Sequence, residues 1–427
     1  MSRKTKTGGT QEESTPSLVP KLRFPEFRGA EGWSLEAGDS LFDQINDRNP
    51  EPGLPVLAIT QEHGAIPRHM IDYYVSVTEK SLESYKVVRI GDFIISLRSF
   101  QGGIEYSSHH GICSPAYVVL RRRSEGSDEY FRHYLKTDKF IRILTKNLEG
   151  LRDGKMVSYA QFSELLLPIP QPAEQQKIAE CLSSADELIA AQARKVDALK
   201  THKKGLMQQL FPREGETQPR LRFPEFRNAG GWAEKRLHEL VDIQSGATPS
   251  KENPAFWNGA IPWVSAKDMK RLFLEDAEDH ISAKAVDEGA RLVPPGTLLV
   301  LTRGMTLLKD VPICVLRRQM SFNQDVKGLR PKDGADGVFL AWMLTDAKQR
   351  LLAMVDTAGH GTGKLDSDAL KALQLLLPSP PEQQRIASCL NGLDALLAAE
   401  EQKLEALKTH KKALMQQLFP SPAAVEA

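Results

Sequence analysis

The chain has 427 residues, a net charge of +1 and 41% hydrophobic residues, a composition typical of globular proteins with two or more domains. No stretch reaches the roughly 20 consecutive apolar residues of a membrane-spanning helix, and polar residues follow the basic N-terminus where a signal peptide needs an apolar core. We therefore expect a cytoplasmic protein with no membrane partner, whose residues 1–18 form a disordered leader. The near-neutral charge argues against coating nucleic acid by charge alone, but it leaves open a groove reader whose partner subunits share the phosphate contacts.

The chain opens with a segment that it later repeats. Residues 21–28 (KLRFPEFR), ahead of Trp33, return as residues 220–227 (RLRFPEFR), ahead of Trp232. An internal repeat fixes how many similar units a chain contains. We predict two modules related by an approximate two-fold axis. These modules occupy residues 19–172 and 220–380.

Both modules are predicted to be mixed α/β (α+β), with many short strands. Residues 87–99 and 292–304 each contain a glycine turn, an apolar strand and an arginine followed by a small residue. The modules are therefore diverged copies, far less alike than the helices that follow them. Further matched pairs are Leu120–Arg121 with Leu329–Arg330 and Gly154–Lys155 with Gly363–Lys364.

A long helix follows each module, at 173–212 and at 381–420. Apolar residues recur at alternating spacings of three and four, a pattern typical of helices that pack on other helices. About 37 residues at 1.5 Å each reach about 55 Å, too long for one apolar stripe to be buried in a small domain. The predicted seam comprises Ile178, Leu182, Ile189, Val196, Leu199, Leu206, Leu210, Ile386, Leu390, Leu393, Leu397, Leu404, Leu407, Leu414 and Leu418. A linker at 213–219 joins the two halves, and a tail at 421–427 ends the chain.

We expect the two helices to form an antiparallel coiled coil. A closed two-fold arrangement pairs equivalent helices symmetrically, and the short linker favours antiparallel over parallel pairing. A helical hairpin that only dimerises the protein is the alternative. The seam is interrupted at Gln192, Lys203, Glu400 and Lys411, and polar seam positions of this kind can fix register.

The sequence contains no catalytic constellation. Residues 359–364 (GHGTGK) resemble a phosphate loop, but the Walker pattern needs glycine at Ala358 and serine or threonine at Leu365. No carboxylate or thiol pattern surrounds His109–His110, which favours a surface role over a metal site. The four cysteines are predicted to be buried reduced thiols, and no metal or other cofactor is predicted in this chain.

Loop-like stretches of the second module carry groups suited to polar recognition. Residues 245–251, 256–259 and 261–268 combine hydroxyl, amide and cationic side chains with tryptophans. Such groups suit base edges and phosphates, although ordinary turn chemistry accounts for them equally well.

With these stretches, the sequence from Leu22 to Pro420 resembles the specificity subunit of a type I restriction-modification system. The resemblance rests on the duplicated LRFPEF segment with its tryptophan, on the Glu-Gln-Gln start and Leu-Met-Gln-Gln-Leu-Phe-Pro end of both helices, and on SGATPS and IPWVSAKD in the second module. The first module resembles another branch of this family. Residues 54–64, 85–92 and 111–117 carry that similarity.

The resemblance implies a non-catalytic DNA reader. Each module would be a target recognition domain that reads one half of a bipartite site in double-stranded DNA, and the helix pair would set the spacer. The implied partners are two adenine-N6 methyltransferase subunits and restriction/translocase subunits. S-adenosylmethionine, ATP and Mg would be bound by those partners.

Under this resemblance we expect DNA contacts from loop residues of both modules, each with a turn or solvent role as its alternative. Trp33 and Trp232 are instead predicted to be core residues, because they recur with the same apolar segment. Two other hypotheses remain open, namely an interaction scaffold whose modules bind protein or glycan, and a self-contained DNA-modifying enzyme. The expected contacts are Gln61, Arg68, Arg98, Gln101, Ser114 and Lys155 in the first module, and Thr248, Ser250, Lys251, Lys267, Arg303, Asn323 and His360 in the second.

Overall fold

The computed structural model describes residues 18–71, 82–123, 126–146, 157–357 and 361–420. The predicted leader up to residue 17, the tail at 421–427, and the predicted DNA contacts Lys155 and His360 lie outside these residues. The chain divides into two compact units. The first unit comprises Met1–Ala193 with Gln402–Ala427, and the second unit comprises Arg194–Glu401.

The first unit is mixed α/β. Its strands are β1 (Ser34–Ala37), β2 (Phe42–Ile45), β3 (Leu57–Thr60), β4 (Gly64–Pro67), β5 (Lys86–Val88), β6 (Phe93–Ile95), β7 (Glu105–Tyr106), β8 (Gly111–Cys113), β9 (Val118–Arg122) and β10 (Leu166–Ile169). Its short helices are α1 (Gly38–Leu41), α2 (Ser99–Gly102), α3 (Asp128–Tyr134), α4 (Asp138–Lys146) and α5 (Tyr159–Ser163), and the long helix α6 (Pro172–Leu210) begins in it. The central sheet has the order β2-β9-β6-β7, and β1 pairs with β10, β3 with β4, and β5 with β8.

The second unit has the same class of fold with longer sheets. Its strands are β11 (Ala233–Arg236), β12 (Val241–Ser245), β13 (Trp257–Val264), β14 (Phe273–Leu274), β15 (Asp279–Ile281), β16 (Leu292–Val293), β17 (Leu298–Leu301), β18 (Arg303–Gly304), β19 (Ile313–Leu316), β20 (Met320–Phe322), β21 (Val326–Pro331), β22 (Val355–Thr357), β23 (Gly363–Leu365) and β24 (Gln374–Leu377). Its short helices are α7 (Leu237–Leu240), α8 (Ala283–Asp287), α9 (Gly337–Asp346), α10 (Lys348–Ala353) and α11 (Ser367–Ala372), and the long helix α12 (Pro380–Leu418) begins in it. The sheets have the orders β12-β21-β17-β19-β14, β15-β13-β20-β16, β18-β23-β22 and β11-β24.

The two units share one frame. In each, the strand that leads into the module pairs antiparallel with the strand that leaves it, β1 with β10 and β11 with β24. Just inside these pairs, Gly38 donates its N–H to the carbonyl of Leu165, and Leu237 donates to Leu373, both at 2.9 Å. Each module therefore begins and ends at one pair of adjacent strands, β1 with β10 or β11 with β24, which we call the neck of the module.

Aromatic and aliphatic cores fill the two frames. In the first unit, Phe42 packs edge to face on Phe93, Phe131 and Phe162, with ring centroids 5.0–5.6 Å apart. Trp33 and Trp232 are both 5% exposed, which confirms the prediction that they are core residues. In the second unit, β17 is buried along its whole length, as its unbroken apolar sequence requires.

The long helices pair antiparallel within each unit, as predicted. In the second unit, Lys195 bonds Glu400 at 2.6 Å and Lys203 bonds Asp394. Residue numbers therefore increase along one helix as they decrease along the facing one, which is antiparallel pairing. In the first unit, Lys411 bonds Asp186 at 2.5 Å. The lysines that interrupt the seam thus find carboxylates on the facing helix, and a defined partner is what lets a polar seam position specify register.

The seam residues are buried or half-buried, but the helix starts do not pack on the other helix alone. Ile178 and Leu182 belong to the core of the first unit, and Ile386 and Leu390 to that of the second. The predicted seam therefore packs on more than the facing helix, because each module packs over the first turns of its own helix.

The repeated LRFPEF segment is fixed by a buried ion pair to the start of a long helix. Arg23 donates two hydrogen bonds to Glu174, at 2.8 and 2.7 Å, and Arg222 makes the same pair with Glu382, both bonds at 2.7 Å. Both carboxylates are fully buried, at 1% and 0% exposure. Such fork-on-fork pairs are directional as well as strong. Both opening segments are therefore oriented in the same way.

The glutamine after each of these glutamates ties the module to the same helix. The side-chain oxygen of Gln175 accepts the N–H of Ser127, the N-cap of α3, at 3.3 Å. Gln383 accepts the N–H of Asp336, the N-cap of α9, at 2.8 Å. The Glu-Gln-Gln motif thus organises the junction between module and helix.

Candidate nucleic-acid interface

In the second module, two of the predicted loops lie against each other. Ala247 donates its N–H to the carbonyl of Phe322 at 2.9 Å, and the Thr248 hydroxyl donates to the side-chain oxygen of Gln324. A Cβ on Gly246 would lie 2.2 Å from two backbone oxygens of the facing loop, so only glycine allows this approach. The structure therefore brings the predicted contacts Thr248 and Asn323 into one site.

Two tryptophans hold the backbone of the first of these loops. The indole N–H of Trp263 donates to the carbonyl of Ala247, and that of Trp257 donates to the carbonyl of Ser250, both at 3.0 Å. Their rings meet edge to face at 5.2 Å. These aromatic residues, which suggested recognition chemistry in the sequence, support the loop that presents Thr248 and Ser250.

Arg303 extends this site from a neighbouring strand. The N–H groups of Thr302 and Arg303 both donate to the carbonyl of Asp325, at 2.8 and 3.2 Å. Strand β18 pairs with β23 so that Arg303 stands opposite Lys364. Both side chains are exposed, and the buried side-chain oxygen of Asn323 has no hydrogen-bond partner among the described residues. The site therefore combines two cations with an unused amide.

The other predicted contacts of this module are separate from that cluster or already paired. Lys267 bonds Glu278 at 2.9 Å and Asp279 at 3.0 Å, and these hydrogen bonds raise the pKa of its ammonium group. Its charge is offset by two carboxylates, which makes it a weaker candidate for phosphate binding. Lys251 is exposed on the loop between β12 and β13.

In the first module, Gln61, Arg98 and Gln101 lie together. The Gln61 amide donates to the carbonyl of Arg98 at 3.3 Å, and Gln101 follows in the single turn of α2. Lys136 fastens this turn by donating to the carbonyl of Gly102 at 2.9 Å. Exposed amides and an arginine therefore lie together where β3 and β6 end.

Arg68 and Ser114 lie elsewhere in the first module. Gln61 follows the last residue of β3, whereas Arg68 follows the last residue of β4, at the opposite end of that antiparallel hairpin. The Ser114 hydroxyl accepts the N–H of Ala116 at 3.3 Å, which is turn chemistry. The five predicted residues of this module that the structure describes therefore do not form one cluster.

Sequence reasoning missed Gln324 and Lys364 as members of the second site. The match of Gly363–Lys364 to Gly154–Lys155 is the signal in the sequence that marks Lys364. Nothing local marks Gln324, since its role comes from the loop folded over it.

One cluster in the first unit has the outline of a catalytic triad. His133 Nε2 lies 3.2 Å from the Ser183 hydroxyl, and Nδ1 lies 3.9 Å from Asp186. Burial and nearby Lys411 lower the pKa of His133 to about 3, so the ring is a poor base. At 3% exposure it also lies out of reach of a substrate, and we interpret this cluster as packing at the junction of α3 with the long helices.

Further observations bear on other kinds of chemistry. Cys113 and Cys314 are buried, with desolvation raising both thiol pKa values to about 12, whereas Cys181 and Cys389 are only half-buried, so the prediction of four buried thiols was wrong for those two. In the described ranges, no cluster of three or more His, Cys, Asp or Glu side chains is placed to hold a metal ion. The same ranges contain no helix that combines the length and apolarity needed to cross a bilayer.

Comparison with known proteins gives a consistent result. A family model described as type I restriction modification DNA specificity domain matches residues 36–201 and 229–409. The chain is 28% identical over 254 residues to the EcoR124I/EcoR124II specificity subunit of Escherichia coli, an alignment that covers 57% of this chain and 59% of that protein. It is 23% identical over 377 residues to the MjaVIII specificity subunit of Methanocaldococcus jannaschii, covering 83% of each.

A solved structure shares the fold. The crystal structure of a type I restriction-modification system S subunit from M. genitalium superposes with a TM-score of 0.57 and 16% identity, covering 95% of this chain and 100% of that one. Since the family model matches most of the sequence in two copies, the chain belongs to the type I restriction modification DNA specificity domain family.

Proposed function

We propose that this chain is the non-catalytic DNA-recognition subunit of a type I restriction-modification complex. Each module reads one half of a bipartite site, and the helix pair sets the spacer between the halves. The observation that carries this proposal is one frame used twice, with the same Arg–Glu and Gln contacts, around loops that differ in sequence and geometry. A shared frame with unlike loops suits two readers of different sequences.

The proposed readers are the modules at 19–172 and 220–380, and the proposed spacer elements are the helices at 173–212 and 381–420. Hydroxyl and amide groups read base edges, and arginines and lysines bind phosphates. In the second module we assign base contacts to Thr248 and Asn323, with Gln324, Ser250 and Lys251 beside them, and phosphate contacts to Arg303 and Lys364. In the first module we assign contacts to Gln61, Arg98, Gln101, Arg68 and Ser114.

The near-neutral charge supports a complex in which other subunits share the phosphate contacts. The proposed partners are two adenine-N6 methyltransferase subunits, which bind S-adenosylmethionine, and restriction/translocase subunits, which use ATP and Mg. Such a complex acts on DNA in the cytoplasm. This chain contributes recognition, and its partners contribute the chemistry.

Adenine-methylation mapping tests the proposal. Cells that contain the methyltransferase are compared with and without this gene. We expect a split motif to be methylated only when the gene is present, and the purified chain alone to methylate nothing. Unchanged methylation at every motif, with an active methyltransferase present, would contradict the proposal, and activity of the isolated chain would identify an enzyme instead.

A second experiment tests the role of the helices. Inserting seven residues at equivalent positions of both helices preserves the seam and adds about 10 Å, equal to about three base pairs. We expect the spacer of the methylated motif to lengthen while both half-sites stay the same. A change in the half-site bases would contradict this division of labour.

A further inference from the structure

Two equivalent turns hold large apolar side chains out in solvent. In the first module, Arg98 is followed by Ser99 and Phe100, and in the second, Arg303 is followed by Gly304 and Met305. Phe100 is 39% exposed and Met305 is 63% exposed, with Leu97 and Leu308 exposed beside them. Single exposed apolar residues are common, but matched ones at the same turn of two diverged modules need an explanation.

Hydrogen bonds and packing fix the backbone of the turn in the second module, so the exposure of Met305 does not result from a loosely packed loop. Both N–H groups that precede the turn donate to the carbonyl of Asp325. Leu307 anchors the turn from below at 1% exposure, and a Cβ on Gly363 would lie 2.7 Å from the Leu307 Cβ. Because its neighbours are packed this tightly, Met305 is held pointing away from the core.

Two neighbouring cations at this turn favour a polyanion as its ligand. Arg303 and Lys364 stand opposite each other in the antiparallel register of β18 and β23. Like charges in that position repel, and although Asp356 stands opposite Lys364 on the other side of β23, neither cation makes an ion pair within 4.0 Å among the described residues. A polyanion that binds both cations removes this repulsion, whereas an apolar protein surface would bury it.

The first module holds its turn by other means. The Ser99 hydroxyl accepts the N–H of Ser96 at 2.8 Å, and Ser99 is 1% exposed. The Gln61 amide covers the turn from the neighbouring hairpin. Phe100 is thereby held next to an exposed arginine and two exposed amides, as Met305 is held two residues after the exposed Arg303.

We propose that Met305 reads the 5-methyl group of a thymine in one half-site while Arg303 and Lys364 bind the adjacent phosphates, and that Phe100 reads a thymine methyl in the other half-site beside Arg98. The thymine methyl is the apolar group that base pairs present in the major groove. This inference rests on the proposed function. Adenine methylation places at least one A·T pair, and so one thymine, in each half-site.

The test uses the assembled complex with its methyltransferase and duplexes in which each thymine of the mapped motif is replaced in turn by uracil. We expect one replacement in one half-site to weaken binding about three- to fivefold, as expected for one buried methyl group. Met305→Ala should weaken binding to natural DNA and remove that sensitivity to uracil, whereas Met305→Leu should keep it. Phe100→Ala should act in the same way on the other half-site only.

Ile90→Ala is the matched control. Ile90 is 66% exposed and precedes β6, whereas Phe100 follows that strand, so this variant should leave binding and uracil sensitivity unchanged. If no uracil replacement weakens binding, or if Met305→Ala keeps the full sensitivity, the inference is wrong although the split motif is still methylated. If no split motif is methylated at all, the proposed function itself fails.

Discussion

The two units differ where a module helix meets the long helices, although the frame around that point is the same. In the first unit, the α3 side chain that contacts the polar side of the long helix is His133, whose ring lies 3.2 Å from the Ser183 hydroxyl. In the second unit, the ring on α9 is Trp342, whose N–H donates to Asn391 at 2.8 Å. Beside each ring, a lysine of one long helix bonds an aspartate of the other. The lysine–aspartate pairs and the arginine–glutamate pairs occur in both units, whereas the aromatic side chain and its polar partner differ.

The two rings have different electrostatic consequences. Lys203 lies 4.5 Å above the Trp342 ring, where the π face attracts its charge. Lys411 instead helps to keep the His133 ring neutral. The lysine therefore stabilises the junction in the second unit, whereas the stability of the junction in the first unit depends on pH.

The largest effect is expected from removing the feature that both units share. Arg23→Met and Arg222→Met each leave a buried glutamate without its partner, which should cost about 3 kcal/mol of unfolding free energy in that unit. Urea unfolding measures the loss, and hydrogen exchange shows which unit carries it. Arg385→Met, which removes an exposed pair with Glu225 and a cation–π contact with Phe223, is the control and should cost no more than about 1 kcal/mol. Equal losses of unfolding free energy in all three variants would mean that the buried arginine–glutamate pair does not stabilise its unit more than an exposed pair does.

The pH dependence should distinguish the two junctions. Burial, together with Lys411 and Arg132 and against the effect of Asp186, lowers the pKa of His133 from 6.5 to about 3. The unfolded chain therefore takes up the proton first, so this contribution to stability is complete above pH 6.5 and is lost as the pH falls towards 3.

Between pH 6.5 and 5, the first unit should lose up to about 2 kcal/mol more than it does in His133→Phe, since one proton corresponds to about 1.4 kcal/mol per pH unit. Unfolding curves recorded across this range, resolved by hydrogen exchange, measure the difference. Equal slopes in the wild type and His133→Phe would show that the ring does not titrate in this way.

A smaller effect should separate the two seam lysines. Lys203→Met and Lys411→Met both remove an ion pair, but only Lys203→Met also removes a cation–π contact, so it should cost about 0.5–1 kcal/mol more. Lys411→Met should in addition make the acid loss of the first unit smaller, because removing a cation next to His133 raises the pKa of the folded ring towards 6.5. Indistinguishable stabilities at pH 7 would contradict the difference drawn between the junctions.

The sequence predicted the long helices well because their signal is periodic and local. Their observed bounds lie within two residues of the predicted ones, and the lysines at the seam were recognised as register positions. Their aspartate partners were not predicted, and neither was the Arg23–Glu174 pair, whose members are 151 residues apart. The only trace of that pair in the sequence is the repetition of both residues in the second half.

The sequence predicts which types of residue line the candidate interface, but it does not predict which of them lie together in the fold. Arg98 and Arg303 are predicted contacts because they recur after matched strands, and the structure shows both side chains exposed. Lys267 looked equally suitable, yet Glu278 and Asp279, which pair with it, lie at the start of another strand. Whether a lysine is available depends on such tertiary neighbours, which no local pattern encodes.

Exchanging one module for the other tests the central claim most directly, because both modules close at equivalent necks. Residues 38–165 are replaced by residues 237–373, the segments bounded by the Gly38–Leu165 and Leu237–Leu373 hydrogen bonds. Adenine methylation is then mapped with the methyltransferase present. We expect the second module's half-site to appear twice, as an inverted repeat about the spacer. A motif that still contains the first module's half-site would contradict the claim that each module reads its own half.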